Sequence, residues 1–136
     1  MVSNMIYIVT AVYAEAHAII THFHLKKDVS FTRFQIFDNQ EAGIRLVVTG
    51  TGGVAAAVAI ADTCKRAQAG EFLVNIGTCA GIQAEEKVYR VGQIFLCNKI
   101  KEQVTGRTFY PDILYSHRFA EGQILTGAVP YTPDKG

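Results

Sequence analysis

Tryptophan, proline, cysteine and net charge are all scarce in this sequence. Its 136 residues include no tryptophan, three prolines and three cysteines, and the formal net charge is only +1. Proteins that bind nucleic acid through its phosphates carry a marked excess of Lys and Arg, which this sequence lacks. The apolar runs, such as residues 5–12, are far shorter than the roughly 20 residues that a membrane-spanning helix needs. We therefore expect neither nucleic acid nor a membrane as a partner.

The cysteines and histidines give no metal-binding pattern. Cys64, Cys79 and Cys97 are odd in number and widely spaced, with no CxxC pair and no histidine at ligand spacing. His22 and His24 lie two positions apart at the end of a predicted helix, so they would point to different sides. No basic residue precedes residues 5–12, as it would in a secretory signal. These features predict a reduced, cytoplasmic chain with no metal and no cofactor.

What the chain does have is enough apolar sequence for a core. Hydrophobic residues make up 49% and charged residues 18% of the sequence, which is typical of globular proteins. The length matches that of one domain, so we expect a single α/β domain over residues 1–136.

Hydrophobic spacing predicts alternating strands and helices. We predict helices at 14–23 and 54–67, a polar hairpin connection at 38–43, and strands at 5–10, 31–37, 44–49, 72–76, 93–97 and 124–129. The runs at 72–76 and 93–97 are continuously apolar, which is typical of strands covered on both faces. The chain beyond residue 101 reads as a long loop or partly helical segment. The predicted fold class is α/β with a mixed, largely parallel sheet.

Three predicted strands end in small or polar residues. These ends are Thr10 with Ala11, the glycine-rich residues 49–53, and residues 77–81, which read GTCAG. Ligands of α/β proteins bind at the carboxyl ends of parallel strands. If the three strands are parallel, the three loops converge on one rim that can bind a ligand.

The glycine-rich loop allows more than one interpretation. Gly50, Gly52 and Ala55 fit the G-x-G-x-x-A dinucleotide pattern, but the following strand ends Asn75-Ile76-Gly77 instead of in Asp or Glu. No Gly-Lys-Ser/Thr follows, so the loop is not a P-loop. Either the glycines let strand and helix pack closely, or the loop binds an anion or hydroxyl through N–H groups at a helix N-terminus.

Three side chains near these loops carry candidate chemistry. Glu15 has Ala and Val neighbours, whose burial would raise its pKa and suit a general base; alternatively, it is an acid favoured in a first helical turn. Cys79 is either a nucleophile or, as we favour, a small buried hydrophobe. Thr78 offers a hydroxyl and an N–H donor for a sugar or a phosphate.

Taken together, four segments resemble the purine nucleoside phosphorylase and nucleosidase superfamily. They are residues 11–15, TGTGGVAAA, VNIGTCAG and VGQIFLC, and the resemblance runs from about residue 5 to about residue 97. It is nearest to the methylthioadenosine/S-adenosylhomocysteine nucleosidases and futalosine hydrolases. The resemblance implies a three-layer α/β fold, a purine nucleoside as substrate, cleavage of its N-glycosidic bond, and a homo-oligomer.

The resemblance also implies roles for individual residues. TAVYAE matches a Gly-Ala-Met-Glu-Glu-Glu-like segment, whose last glutamate activates the attacking water; Glu15 holds that catalytic position. The family's Ser-Gly-Ile-Gly-Lys-Val and Asn-Thr-Gly-Ser-Ala-Gly-Gly segments match residues 49–54 and 75–81. Gln93 departs from an aspartate in the family pattern. The implied substrate-binding residues are Ala11, Thr51, Gly52, Thr78, Cys79, Ala80 and Gly81.

Hydrolysis and phosphorolysis differ in the charge that they require. A phosphorylase needs cations for phosphate, but this chain has no Arg before Arg33 and has Glu15, which would repel the anion. Hydrolysis is therefore favoured, with phosphorolysis as the alternative. The family's purine-stacking aromatic, its Met-Glu segment and its leaving-group aspartate find no match, so the chain looks like an N-terminal part. A non-catalytic nucleoside-binding remnant stays open as a second class of function.

Overall fold

The computed structural model describes residues 4–30, 33–81 and 89–127. The chain divides into two compact units, Met1–Cys79 and Ala80–Gly136. Each unit contains its own β-sheet. The single domain over residues 1–136 stays a prediction.

The first unit is a mixed α/β sheet. Its strand order is β2-β3-β4-β1-β5, with β1 parallel to both β4 and β5, and with β2, β3 and β4 pairing antiparallel. This arrangement confirms the predicted fold class. The elements are β1 (Ile6–Thr10), α1 (Tyr13–His22), β2 (Lys26–Lys27), β3 (Gln35–Asn39), β4 (Ile44–Val48), α2 (Gly53–Thr63) and β5 (Phe72–Asn75).

Alternating side chains give the sheet two apolar faces, because successive residues of a strand point to opposite sides. On one face Ile8, Phe37 and Leu46 form a buried cluster with Ala16 of α1. On the other face, Val9 of β1, Ile36 of β3 and Val47 of β4 form a second buried cluster with Ala59 of α2. Each of these three strand residues is adjacent in sequence to a member of the first cluster. The sheet therefore lies between two helices, in three layers.

The hairpin between β3 and β4 forms where the sequence predicts it. The side-chain Oδ1 of Asn39 accepts the N–H groups of Glu41 and Ala42, which closes the turn. Gly43 has a φ of 69°, a left-handed conformation that favours glycine. The strand predicted at 31–37 instead begins at Gln35, and residues 31–32 lie outside the described residues.

The expected burial of β5 on both faces is wrong for the residues that the structure describes. Leu73 is 53% and Val74 38% exposed. The physical reason is position: among the described residues, β5 is the last strand of its sheet and pairs with β1 alone. A continuous apolar run does not distinguish a central strand from such an edge strand.

The second unit contains a three-stranded sheet in the order β7-β6-β8. It consists of β6 (Phe95–Glu102), β7 (Thr108–Phe109) and β8 (Ala120–Thr126), with β8 parallel and β7 antiparallel to β6. The strands predicted at 93–97 and 124–129 are thus shifted, and residues 128–129 lie outside the described residues. In the described part beyond residue 101 the chain forms short strands and turns, and no helix.

Candidate active site

The carboxyl ends of β1, β4 and β5 meet at one edge of the first sheet. The loop after β4 is tied to the loop after β1 by the Gly50 N–H, which donates to the Ala11 carbonyl at 2.9 Å. On the other side of β1, the Ile76 N–H donates to the Val9 carbonyl at 3.0 Å. The predicted convergence of three loops on one rim is confirmed for their first residues.

Glu15 closes the turn between β1 and α1. It is the third residue of α1, and its Oε2 accepts the N–H groups of Ala11 at 3.0 Å and Val12 at 3.3 Å. Its own N–H donates to the Val12 carbonyl at 3.2 Å. A glutamate at this position commonly reaches back to the N–H groups that a helix start leaves without partners. Oε2 therefore has a structural part in starting α1.

The other carboxylate oxygen of Glu15 is bound by the loop that follows β5. Oε1 accepts both the N–H of Thr78 at 3.1 Å and its hydroxyl at 3.0 Å. An ionised carboxylate offers about four acceptor sites, two on each oxygen. All of these sites are occupied, so Glu15 is held in one orientation between two loops of the rim.

These hydrogen bonds also set the protonation state of Glu15. Burial raises its pKa, but the hydrogen bonds from Thr78, Val12 and Ala11 together lower it below the ordinary value of 4.5. The upward shift expected from apolar neighbours is therefore wrong. The reason is that donors bound to both oxygens stabilise the charged form more than partial burial disfavours it. Glu15 is a carboxylate at neutral pH.

Gly77 lies beside the same carboxylate. A Cβ built on Gly77 would be 3.6 Å from Glu15 Oε1 and 4.0 Å from its Cδ. Both distances are ordinary van der Waals contacts. The residue before Thr78 thus leaves one side of the carboxylate uncovered. The sequence gives no separate signal for Gly77, because residues 77–81 read as one small-residue loop.

The glycine-rich loop that precedes α2 needs its glycines for backbone conformation. Gly50 and Gly52 have φ angles of 87° and 107°, and α2 begins directly after Gly52 without a side-chain cap. A Cβ on Gly50 would make only an ordinary 3.7 Å contact with Ala55. Left-handed backbone, more than close packing of strand and helix, therefore accounts for these glycines. Thr51 is exposed between them.

The remaining predicted site residues are divided between the two units. Cys79 is exposed with a free thiol, so its interpretation as a small buried hydrophobe is wrong; it lies in a small-residue loop at a strand end, where the described residues give it no apolar cover. Ala80 and Gly81 belong to the second unit. A Cβ on Gly81 would be 2.9 Å from the Tyr89 Cβ, so this glycine allows a close approach to Tyr89. A binding role for these three residues stays a prediction.

Thr10 is a residue of the rim that the sequence reasoning named only as a strand end. It is fully buried at the last position of β1, and its Oγ1 has no hydrogen-bond partner among the residues that the structure describes. The only signal in the sequence is a hydroxyl at the end of an apolar strand.

Metal-binding clusters and membrane-spanning helices are both absent from the described ranges. Within residues 4–30, 33–81 and 89–127, no group of three or more His, Cys, Asp or Glu side chains could hold a metal ion. In those same ranges, neither helix has the length and hydrophobicity to cross a bilayer.

Solved structures share this architecture. A 5'-methylthioadenosine/S-adenosylhomocysteine nucleosidase from Neisseria meningitidis, in complex with methylthio-immucillin-A, matches 93% of this chain with a TM-score of 0.75 and 20% identity. The enzyme of the same name from Colwellia psychrerythraea, in complex with adenine, matches 94% with a TM-score of 0.70 and 20% identity. An AMP nucleosidase from Bacteroides thetaiotaomicron matches 93% with a TM-score of 0.65 and 14% identity.

This chain has part of the nucleosidase fold. It spans 66% of the Neisseria protein, 64% of the Colwellia protein and 58% of the AMP nucleosidase. The similarity that the motifs predict is thus confirmed at the level of fold. No protein-family model matches the sequence, and a search of curated proteins finds no match.

Proposed function

We propose that this protein contributes to hydrolysis of the N-glycosidic bond of a purine nucleoside, with Glu15 orienting the attacking water. The observation that carries the proposal is the binding of one carboxylate by two loops of the rim, through Ala11, Val12 and Thr78. Positioning of this kind is what general base catalysis requires of a carboxylate. The nucleosidase fold supports the same assignment.

The lowered pKa keeps Glu15 ionised at neutral pH, so that it can stabilise positive charge on the sugar, although it also makes Glu15 a weaker base than a raised pKa would. Cleavage of the glycosidic bond sends its electron pair to the purine nitrogen and leaves an oxocarbenium-like sugar, which an ionised carboxylate stabilises. As the water oxygen bonds to the anomeric carbon, the water becomes acidic and its proton passes to Glu15. The acid that protonates the leaving purine is not among the residues matched to the family.

Thr78 is the donor to Glu15 that can change partners. Its N–H and the N–H groups of Ala11 and Val12 are fixed by the backbone, whereas a hydroxyl rotates and both donates and accepts. The Thr78 side chain can therefore turn from Glu15 Oε1 towards a sugar hydroxyl or a water. We assign the same sugar-facing role to Thr51 with Gly52, and a binding role to Ala11, Cys79, Ala80 and Gly81 along the same loops.

The proposed ligand is a purine nucleoside, bound without a cofactor by a cytoplasmic homo-oligomer. The choice of a purine as the base of the proposed ligand rests on the resemblance and on the fold. Two proteins of similar structure were solved with methylthio-immucillin-A and with adenine. The base and the 5′ substituent are left to the experiment below.

Phosphorolysis is the alternative reaction, and charge favours hydrolysis over it. The groups bound to Glu15 are three backbone N–H groups and one hydroxyl, all of them neutral. A phosphate at this position would meet the carboxylate with no cation among those partners to offset the repulsion. A non-catalytic nucleoside-binding role is the second alternative, because the bonds to Oε2 serve the start of α1 by themselves.

The experiment is release of free base from methylthioadenosine, inosine and futalosine, each with and without phosphate. Wild type is compared with Glu15→Gln and with Glu41→Gln, the same substitution at an exposed residue of the β3–β4 hairpin. We expect phosphate-independent release that Glu15→Gln lowers by about 10²-fold or more and Glu41→Gln leaves unchanged. Release that requires phosphate, or that survives in Glu15→Gln, would contradict the proposal.

A further inference from the structure

The glycine that precedes Thr78 has a place in the rim that neither backbone conformation nor tight packing explains. Six glycines of the described residues have a positive φ, and Gly77 is not one of them. An L-residue could therefore adopt its backbone conformation without strain. Whatever keeps this position bare acts through the space where a side chain would be.

That space is bounded by Glu15. Apart from the neighbours of Gly77 in the sequence, the only atoms of the described residues within 4 Å of a Cβ built there are Glu15 Oε1, at 3.6 Å, and Glu15 Cδ, at 4.0 Å. A methyl group would fit without a clash, so the glycine is not needed for close approach. The same methyl group would cover the side of the carboxylate that Gly77 leaves open.

The chemistry of Oε1 determines what can occupy this space. A carboxylate oxygen only accepts hydrogen bonds, so a neighbour that is not a donor desolvates it at a cost. Oε1 also receives the Thr78 hydroxyl, the one donor in the group that can turn away. A small donor in the open space can then take the place of that hydroxyl on Oε1. Water is the donor that such an exposed space, with Glu15 on one side, admits most readily.

We propose that Gly77 leaves the space that the nucleophilic water occupies beside Glu15 Oε1, and that this glycine is a positioning residue of the site. The inference rests on the proposed function and deepens it, because it assigns the water a defined side of the carboxylate. It also explains why a bare residue directly precedes Thr78 in the loop after β5. The side chain of Thr78 is the second polar group that borders this space.

Two substitutions at Gly77 test the inference in opposite directions. Gly77→Ala covers Oε1 with an apolar group, so it raises the pKa of Glu15 relative to wild type. Gly77→Ser places a hydroxyl within reach of Oε1, so the pKa of Glu15 stays below that of Gly77→Ala. Both variants exclude the water and lower kcat by about 10²-fold with little change in KM. The pKa is read from the side-chain carboxyl carbon of Glu15 by NMR titration.

Gly122→Ala is the matched control. A Cβ on Gly122 makes a similar ordinary contact, 3.7 Å from Phe95 Cδ1, on a strand of the second unit. It controls for the general effect of adding a methyl group, and we expect wild-type kcat and wild-type Glu15 pKa. Circular dichroism and thermal unfolding of all three variants verify that each is folded.

The outcomes separate this inference from the proposed function. If wild type releases no base, the proposed function fails, and the two Glu15 pKa values still decide whether Gly77 leaves room for a hydrogen-bond donor beside Oε1. An unchanged Glu15 pKa in Gly77→Ala would overturn the inference. A raised KM with unchanged kcat would also overturn it, because the open space would then admit substrate and not water.

Discussion

The N–H and the hydroxyl of Thr78 both donate to a single oxygen of Glu15, a residue 63 positions earlier in the chain. This contact joins the turn after β1 to the loop after β5. The two strands are neighbours in the sheet, which brings their carboxyl ends together. The active-site proposal depends on this pair of residues.

Replacement of Thr78 tests the pair directly. Thr78→Val keeps the shape of the side chain and removes the hydroxyl, so we expect a higher Glu15 pKa and a loss of about 1 kcal/mol in the free energy of unfolding. Thr78→Ser retains the hydroxyl and should remain close to wild type in both. NMR titration and urea unfolding measure the two quantities. Equal values for Val and Ser would show that the hydroxyl does not bind Glu15 in solution.

Glu15 also gives stability a defined dependence on pH. Its pKa in the folded chain lies below the ordinary value of 4.5, so the ionised carboxylate stabilises the fold above that pH. The stabilisation is lost as the pH falls from 4.5 through the pKa of the folded state. Glu15→Gln cannot titrate at this position. The difference in unfolding free energy between wild type and Glu15→Gln should be constant above about pH 6 and shrink below pH 4.5.

Asp28 provides the control for this titration. Hydrogen bonds from the Ser30 hydroxyl and N–H lower its pKa too, and Asp28 is present in both proteins. Its contribution therefore cancels in the difference between wild type and Glu15→Gln. A difference that grows towards low pH would contradict the lowered pKa of Glu15.

Removal of the buried Thr10 hydroxyl should not lower the free energy of unfolding, in contrast to removal of the Thr78 hydroxyl. The Oγ1 of Thr10 is fully buried and lacks a partner in the part of the chain that the structure describes. Folding therefore removes the hydroxyl from water without replacing its hydrogen bonds to water. Thr10→Val keeps the shape and removes the hydroxyl. We expect urea unfolding to show unchanged stability or a gain of up to about 1 kcal/mol. Destabilisation by more than that would mean that the hydroxyl has a partner in solution.

The three-layer arrangement of the first unit is tested by truncation in the core. Leu46 is fully buried on the α1 face of the sheet, whereas Val29 is 82% exposed. Leu46→Ala should lower the free energy of unfolding by about 2–5 kcal/mol, because it removes buried contacts and leaves a cavity. Val29→Ala should change it by less than about 0.5 kcal/mol. Equal effects of both variants in urea unfolding would contradict this core.

Apart from the two-residue β2, which was not predicted, the sequence predicts the order of elements in the first unit because these elements have local causes. The β-branched run that ends at Thr10, the helical spacing after it and the Gly-rich break at 50–53 each act within a few residues. Glu15 and Thr78 could both be named, since strand ends in α/β sheets are where ligands bind. What the sequence could not supply is the contact between them, which depends on β1 and β5 pairing as neighbours.

Two errors have the same origin, namely that burial was inferred from composition alone. Ala and Val neighbours suggested a raised pKa for Glu15, but hydrogen bonds from three backbone N–H groups and the Thr78 hydroxyl lower it, and backbone N–H groups have no sequence signature. The apolar run at β5 suggested a strand covered on both faces, but its place at the sheet edge leaves Leu73 exposed. In both cases long-range geometry outweighs local hydrophobicity.

The most direct test of the central claim identifies the sugar product that the protein forms from methylthioadenosine. Protein purified from the native gene, with its intact mass recorded, is incubated with and without phosphate, and the sugar product is identified by mass spectrometry. We expect free methylthioribose in both conditions, formed at least about 10²-fold more slowly by Glu15→Gln. Methylthioribose 1-phosphate as the product, or no product from any of the nucleosides tested, would contradict hydrolysis by a water that Glu15 orients.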